Sequence, residues 1–236
     1  MTIRALLFDV DDTLYDFSKT WETATRALLE ELLAPYSISV NEVWDKFVRF
    51  DETVFSYVNS GEIPSAVARR LRWQFLETVW DISIPNLPNL LIRHTEAMRH
   101  QCVPYDDTIR TIAALSRQYR LAIVTNGPSD FLDDRLTSVG LSPYFPSHLR
   151  IAADAVSSYK PEPEIFQEAL RRLALPARDC LFIGDSWNYD VMGAKAAHIP
   201  VIWYNPRRLQ CPDPAAIVGE ISTLNELDHL LTTMED

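Results

Sequence analysis

Four short runs of consecutive apolar residues, at Ala5–Phe8, Leu121–Val124, Leu181–Ile183 and Val201–Tyr204, stand out along this chain because no polar residue alternates within them. A strand with apolar side chains on both faces belongs in a sheet covered on both sides, which is the usual setting of parallel strands. The stretches between them carry apolar residues at helical spacing, as at Ile165, Leu170 and Leu173. The predicted fold class is therefore α/β, a doubly wound, Rossmann-like parallel sheet core.

About a hundred residues separate the first two runs, far more than one crossover helix needs. Within them, Trp21, Ala24, Leu28 and Leu32, then Val43, Phe47, Phe50 and Val54, recur every three or four positions, and Pro64, Pro85 and Pro88 punctuate the series. This spacing predicts an inserted α-helical cap over residues 16–100, leaving residues 1–15 and 101–236 as the core domain. Thr223-Leu224-Asn225-Glu226 reads as a capping box opening a last helix through Leu231, and the Pro-rich stretch 205–214 as a loop.

The residues just past each run are chemically more telling. Asp9-Val10-Asp11-Asp12 succeeds the first, Thr125-Asn126-Gly127 the second and Gly184-Asp185-Ser186 the third. All carboxyl ends of a parallel sheet lie on one edge, so these groups are expected to converge there. Crowded carboxylates are tolerated when a cation is bound or a proton retained. Lys160-Pro161-Glu162-Pro163 stands before a helical pattern, with Pro163 suited to its first turn, and Asp190 comes five residues after Asp185.

The net charge of −11 and a pI near 4.9 exclude a basic surface for nucleic acid polymers or anionic membranes. No segment approaches the roughly 20 apolar residues of a membrane span. Cys102, Cys180 and Cys211 are odd in number and far apart, which suggests neither a disulfide framework nor a zinc site. A cytoplasmic protein is expected, monomeric or a small homo-oligomer.

Taken together, Asp9-x-Asp11-x-Thr13-Leu14, Thr125-Asn126-Gly127, Lys160-Pro161-x-Pro163-x-Ile165-Phe166 and Gly184-Asp185 with Asp190 resemble the four motifs of the haloacid dehalogenase-like superfamily, and the long insertion resembles its C1-type cap. The resemblance implies a phosphatase in which Asp9 is the nucleophile and Asp11 the general acid/base. Thr125, Asn126, Gly127 and Lys160 would bind the phosphoryl group, with Thr125 and Lys160 also catalytic. Asp9, Asp185 and the Asp11 backbone carbonyl would hold Mg2+, with Asp190 behind them. Possession of Asp11 favours phosphorus over carbon–halogen chemistry.

Asp-Val-Asp-Asp-Thr-Leu-Tyr, Thr-Asn-Gly and Ile-Trp-Tyr-Asn look like the pyrimidine 5'-nucleotidase branch, which implies a small phosphorylated metabolite such as a nucleoside 5'-monophosphate as substrate. Sugar-phosphate phosphatases such as acylneuraminate-9-phosphatase carry similar signatures; a phosphomutase or a non-catalytic ligand-binding relative are further alternatives. The insertion is aromatic, with Trp21, Trp44, Phe47, Phe50, Phe55, Tyr57, Trp73, Phe75 and Trp80 expected mostly as helical core, and Arg69, Arg70 and Arg72 expected at its surface. Ser157 and His198 stand where glycine is usual, so mild backbone strain is expected there.

Overall fold

The structure, a computed structural model, describes residues 2–235. They divide into two compact units, one of residues up to 17 with those from 102 onward, and one of residues 18–101.

The first unit is built on six parallel strands: β1 (Ala5–Phe8), β2 (Arg120–Thr125), β3 (Arg150–Ala152), β4 (Cys180–Gly184), β5 (Val201–Tyr204) and β6 (Gly219–Ile221), in the order β3-β2-β1-β4-β5-β6. The chain winds outward from β1 through β2 to β3, then returns to the other side of β1 and winds out again. The switch point therefore falls between β1 and β4, where open α/β sheets form their crevice. Phe8 is level with Ile123 on β2 and with Ile183 on β4, so the acidic turn after β1 emerges between the ends of both neighbours.

Alternate strand residues feed two separate cores. Leu6, Phe8, Leu121, Ile123, Leu181 and Ile183 join Ile112 and Leu115 of α5 (Thr108–Leu115) on one face, with Leu132 and Leu136 of α6 (Leu132–Ser138) and Leu227 and Leu231 of α10 (Glu226–Glu235). On the other face, Ala5, Leu7, Ala122, Val124 and Phe182 meet Ile165, Phe166, Ala169 and Leu173 of α8 (Pro163–Leu173) and Ala194 of α9 (Met192–Ala196). Burial on both faces explains why these strands read as unbroken apolar runs; each such side chain contributes roughly 1.5–3 kcal/mol.

The short edge strands β3 and β6 escaped the sequence reading, because three residues carry too little pattern. Pro163 does open α8, and the Thr223 hydroxyl lies 2.8 Å from the Glu226 carboxylate, which accepts the Thr223 N–H at 2.9 Å. Ser157 and His198 adopt φ of 55° and 58°, the left-handed backbone expected to carry mild strain. The short α7 (Ala153–Val156) ends at Ser157.

The second unit holds four helices, α1 (Phe17–Leu33), α2 (Val40–Asn59), α3 (Ser65–Trp80) and α4 (Leu87–His100). Leu29, Phe47, Trp73 and Leu76 form its buried centre, and Phe50 stacks on Phe75 at 4.1 Å. Tyr57 is exposed. Arg70 lies at the surface and Arg69 is half-buried, but Arg72 departs from the surface expectation. It is buried, 2.8 Å from Asp51, and its guanidinium lies 5.5 Å from the Trp21 ring and 4.9 Å from that of Phe55. Helical spacing alone does not separate a surface Arg from one drawn inward by a buried acid.

Among the described residues no helix is long and apolar enough to cross a membrane, and all three cysteines are free thiols.

Candidate active site

Asp9 leaves β1 with its backbone N–H donated to the carbonyl of Ile183 at 2.9 Å, which fixes its side chain at the carboxyl edge of the sheet. The chain then turns sharply through Asp12, whose φ is 61°, a conformation that Asp tolerates better than most residues. The Thr13 hydroxyl accepts the Asp185 N–H at 3.2 Å and lies 3.4 Å from Asp185 Oδ1, tying the first acidic turn to the end of β4.

Lys160 arrives from the loop after α7 and is buried. Its Nζ donates to Asp9 Oδ1 at 2.5 Å and to Asp190 Oδ1 at 2.6 Å. Burial alone disfavours an ammonium, yet Asp190 and Asp9 outweigh it and hold the Lys160 pKa above its usual value. The loop itself is anchored by Asn126, which accepts the Lys160 N–H at 2.7 Å and donates to the Lys160 carbonyl at 3.0 Å. Asn126, expected among the phosphate contacts, uses its side-chain amide to hold the backbone of Lys160. Sequence spacing cannot show this, because the two residues are 34 positions apart.

Thr125 is buried at the end of β2, where its hydroxyl accepts the Gly127 N–H at 2.9 Å and keeps its own proton to donate. Asp190 is aimed back at the sheet by one wide turn, in which the Val191 N–H reaches the Ser186 carbonyl at 3.2 Å. A glycine is required opposite it: a Cβ on Gly184 would stand 2.5 Å from the Asp190 carboxyl carbon. Asp190 Oδ2 also accepts the Ser186 N–H at 2.9 Å, so both its oxygens are engaged by protein donors.

Asp9, Asp185 and Asp190 each place one carboxylate oxygen within 4.8 Å of the other two. Burial first, then the neighbouring carboxylates, pushes the Asp9 pKa up to about 7 against the pull of Lys160, and that of Asp185 up to about 8. One ammonium does not neutralise three clustered carboxylates, so the donor set is short of positive charge. Hard carboxylate oxygens with a charge deficit fit Mg2+. Since Asp190 is already satisfied by Lys160 and Ser186, Asp9 and Asp185 are the carboxylates that could hold such an ion.

Asp11 stands apart from this cluster. Its Oδ1 accepts hydrogen bonds from the Tyr15 hydroxyl at 2.7 Å and from Arg135 Nη1 at 2.5 Å. Arg135 was invisible to the motif reading, since one Arg in a seven-residue helix has no sequence signature.

The sequence profile of haloacid dehalogenase-like hydrolases matches residues 3–198. The chain belongs to this family. It is 26% identical over 228 residues to the pyrimidine 5'-nucleotidase YjjG of Escherichia coli, covering 96% of each chain. To the plasmid phosphoglycolate phosphatase of Cupriavidus necator it is 30% identical over 242 residues, covering 97% of this chain and 93% of the relative. The fold superposes on the magnesium-bound crystal structure of the HAD-hydrolase YfnB from Bacillus subtilis with a TM-score of 0.81 at 27% identity, covering 98% of this chain and all of that one.

Within the HAD-like frame, the four motifs identified along the chain meet at one sheet edge, as their order after β1, β2, α7 and β4 requires. The edge is held together by residues to which the motifs assign no role, namely Thr13, Tyr15, Arg135 and Trp203, whose indole N–H donates to the Asp185 carbonyl at 2.7 Å. Thr13, Tyr15 and Trp203 stand within the quoted signatures, whereas Arg135 lies outside all of them.

Proposed function

We propose that this HAD-like phosphoric monoester hydrolase cleaves small phosphomonoesters, nucleoside 5'-monophosphates first among them, through an aspartyl-phosphate formed on Asp9. The observation that carries the reading is the buried Lys160 ammonium bonded to both Asp9 and Asp190 beside Asp185. A fixed cation against a carboxylate nucleophile is what phosphoryl transfer to that carboxylate needs, because the incoming group is itself an anion.

In this mechanism Asp9 attacks phosphorus in line as the bond to the leaving alkoxide breaks. Asp11 gives that oxygen a proton, then takes one from the water that hydrolyses the acyl phosphate. The Thr125 hydroxyl and the Lys160 ammonium bind the phosphoryl oxygens, while Asn126 and Asp190 hold Lys160 at its backbone and its ammonium. Mg2+ held by Asp9, Asp185 and the Asp11 carbonyl would supply the charge that lets a carboxylate meet a phosphate dianion. Asp11 supports phosphorus chemistry, because displacement of halide from carbon needs no proton donor.

Resemblance to YjjG supports nucleotides as substrate, and resemblance to a phosphoglycolate phosphatase keeps small organic phosphates in the comparison. The test is phosphate release from a panel of nucleoside monophosphates, sugar phosphates and phosphoglycolate, with and without Mg2+. Magnesium-dependent release led by pyrimidine nucleotides, and lost in Asp9→Asn, is expected. A sugar-phosphate or phosphoglycolate preference overturns the substrate assignment, and release that survives Asp9→Asn overturns the mechanism.

A further inference from the structure

Arg135 is 1% exposed, yet it lies on α6 among Leu132 and Leu136. Its Nη1 donates to Asp11 Oδ1 at 2.5 Å and to the Tyr15 hydroxyl at 2.9 Å, while Tyr15, also buried, donates to the same Asp11 oxygen at 2.7 Å. The three groups close a triangle on one carboxylate oxygen. Among the described residues, Arg135 Nε and Nη2 are buried without a hydrogen-bond partner, and although the guanidinium lies 5.0 Å from the Phe131 ring, it is kept there at a desolvation cost. A buried ion pair is in general no more stabilising than well-packed apolar side chains of similar size. A methionine at position 135 would fill this helix face without that cost.

Gly127 supplies a second, independent constraint. A Cβ there would stand 2.8 Å from Arg135 Nη2 and 2.8 Å from Asp11 Oδ2, so both side chains occupy the space that the missing Cβ leaves. The turn at Gly127 that follows Thr125 is thus shaped around the Asp11–Arg135 pair. With Oδ1 fixed by two donors, only Oδ2 of Asp11 is left to exchange a proton with a substrate.

Resting on the phosphatase reading above, we propose that Arg135 and Tyr15 are positioning residues. They lock the rotamer of Asp11, so that one oxygen is an anchor and the other is presented to the leaving-group oxygen. Neither touches the reacting atoms; both act through Asp11.

The experiment compares kcat/KM, which reports only the first phosphoryl transfer, for a nucleoside 5'-monophosphate and for p-nitrophenyl phosphate. An alkoxide needs a proton to leave and nitrophenolate does not, so a fault confined to Asp11 lowers the ratio of the two rates. Asp11→Asn sets the benchmark for that ratio. Arg135→Met is expected to lower it by about 10- to 100-fold, up to the lower end of what lost general acid catalysis costs because Asp11 is displaced and not removed, Tyr15→Phe by less, and Arg135→Lys to restore most of it. In the Asp11→Asn background, Arg135→Met is expected to add little, because residues acting as one unit are not additive. Melting temperatures accompany each variant, so a folding defect, which lowers both rates alike, is separated from mispositioning.

Equal loss on both esters, or full additivity with Asp11→Asn, overturns the proposal. A rise in the ratio on removing Arg135 also overturns it, since the pair would then hold Asp11 away from its work. Wild-type enzyme inactive on both esters contradicts the phosphatase reading itself and this inference with it.

Discussion

Lys160 and Arg72 are both buried cations, one at the sheet edge and one inside the helical unit, yet their surroundings act on them in opposite directions. Lys160 has two carboxylates on its ammonium, and together they raise its pKa against the effect of burial. Burial lowers the pKa of Arg72, because Asp51 is a single counter-charge and Arg69 adds a like one. Two anions on one cation leave surplus negative charge for chemistry. One anion on one cation leaves a pair with nothing to spare, whose removal should be felt in stability and not in turnover.

Lys160→Met tests the catalytic side of this contrast and should have the largest effect. Loss of the cation proposed to bind the phosphoryl group should cost about 10²–10³-fold in kcat, as for other fixed donors to developing charge. Circular dichroism should show a folded protein; a kcat within tenfold of wild type would break the contrast. Arg72→Met tests the other side. It strands the partly buried Asp51 carboxylate, whose pKa burial already raises, and should lower unfolding free energy by up to about 3–5 kcal/mol. The double change Arg72→Met with Asp51→Leu should recover most of that loss in denaturant titrations, since no charge is then left unpaired.

Smaller effects sharpen the picture. Gly184→Ala puts a methyl into Asp190 and should cost about 1–3 kcal/mol of stability, with a fall in activity as Asp190 leaves Lys160. His94 offers the mildest test. It is buried 3.0 Å from the Thr25 hydroxyl, and burial, helped by Arg72 and Arg69, lowers its pKa to about 3. Between about pH 6.5 and 3 the unfolded chain binds a proton that folded His94 refuses. Stability should therefore be retained above about pH 6.5 and fall as pH drops through that window, by up to about 1.4 kcal/mol per pH unit. Thermal melts at about pH 7 and pH 5, either side of the ordinary histidine pKa, should show a smaller difference in His94→Gln than in wild type; an equal difference would place the titration elsewhere.

The same contrast explains what was legible in the sequence. The central strands and the acidic turn after β1 could be read because a doubly buried parallel strand and a motif at its end are both local in sequence. The edge strands β3 and β6 could not, having three residues each. The motifs named Asp9, Asp11, Thr125, Lys160, Asp185 and Asp190, but the partners that fix them are long-range: Asn126 with Lys160, Thr13 with Asp185, Arg135 with Asp11. In the helical unit even Arg72 was misplaced, because an amphipathic pattern records which residues are apolar and not which charge a distant Asp51 draws inward.

The central claim is that Asp9 becomes covalently phosphorylated, and trapping the acyl phosphate tests it most directly. Enzyme turning over a nucleoside 5'-monophosphate in Mg2+ is quenched rapidly, reduced with borohydride and digested. The account predicts conversion of Asp9 to homoserine in the peptide spanning β1, dependent on substrate and absent from Asp9→Asn. Reduction at another carboxylate, or no modified peptide while phosphate is released at the full rate, would contradict it.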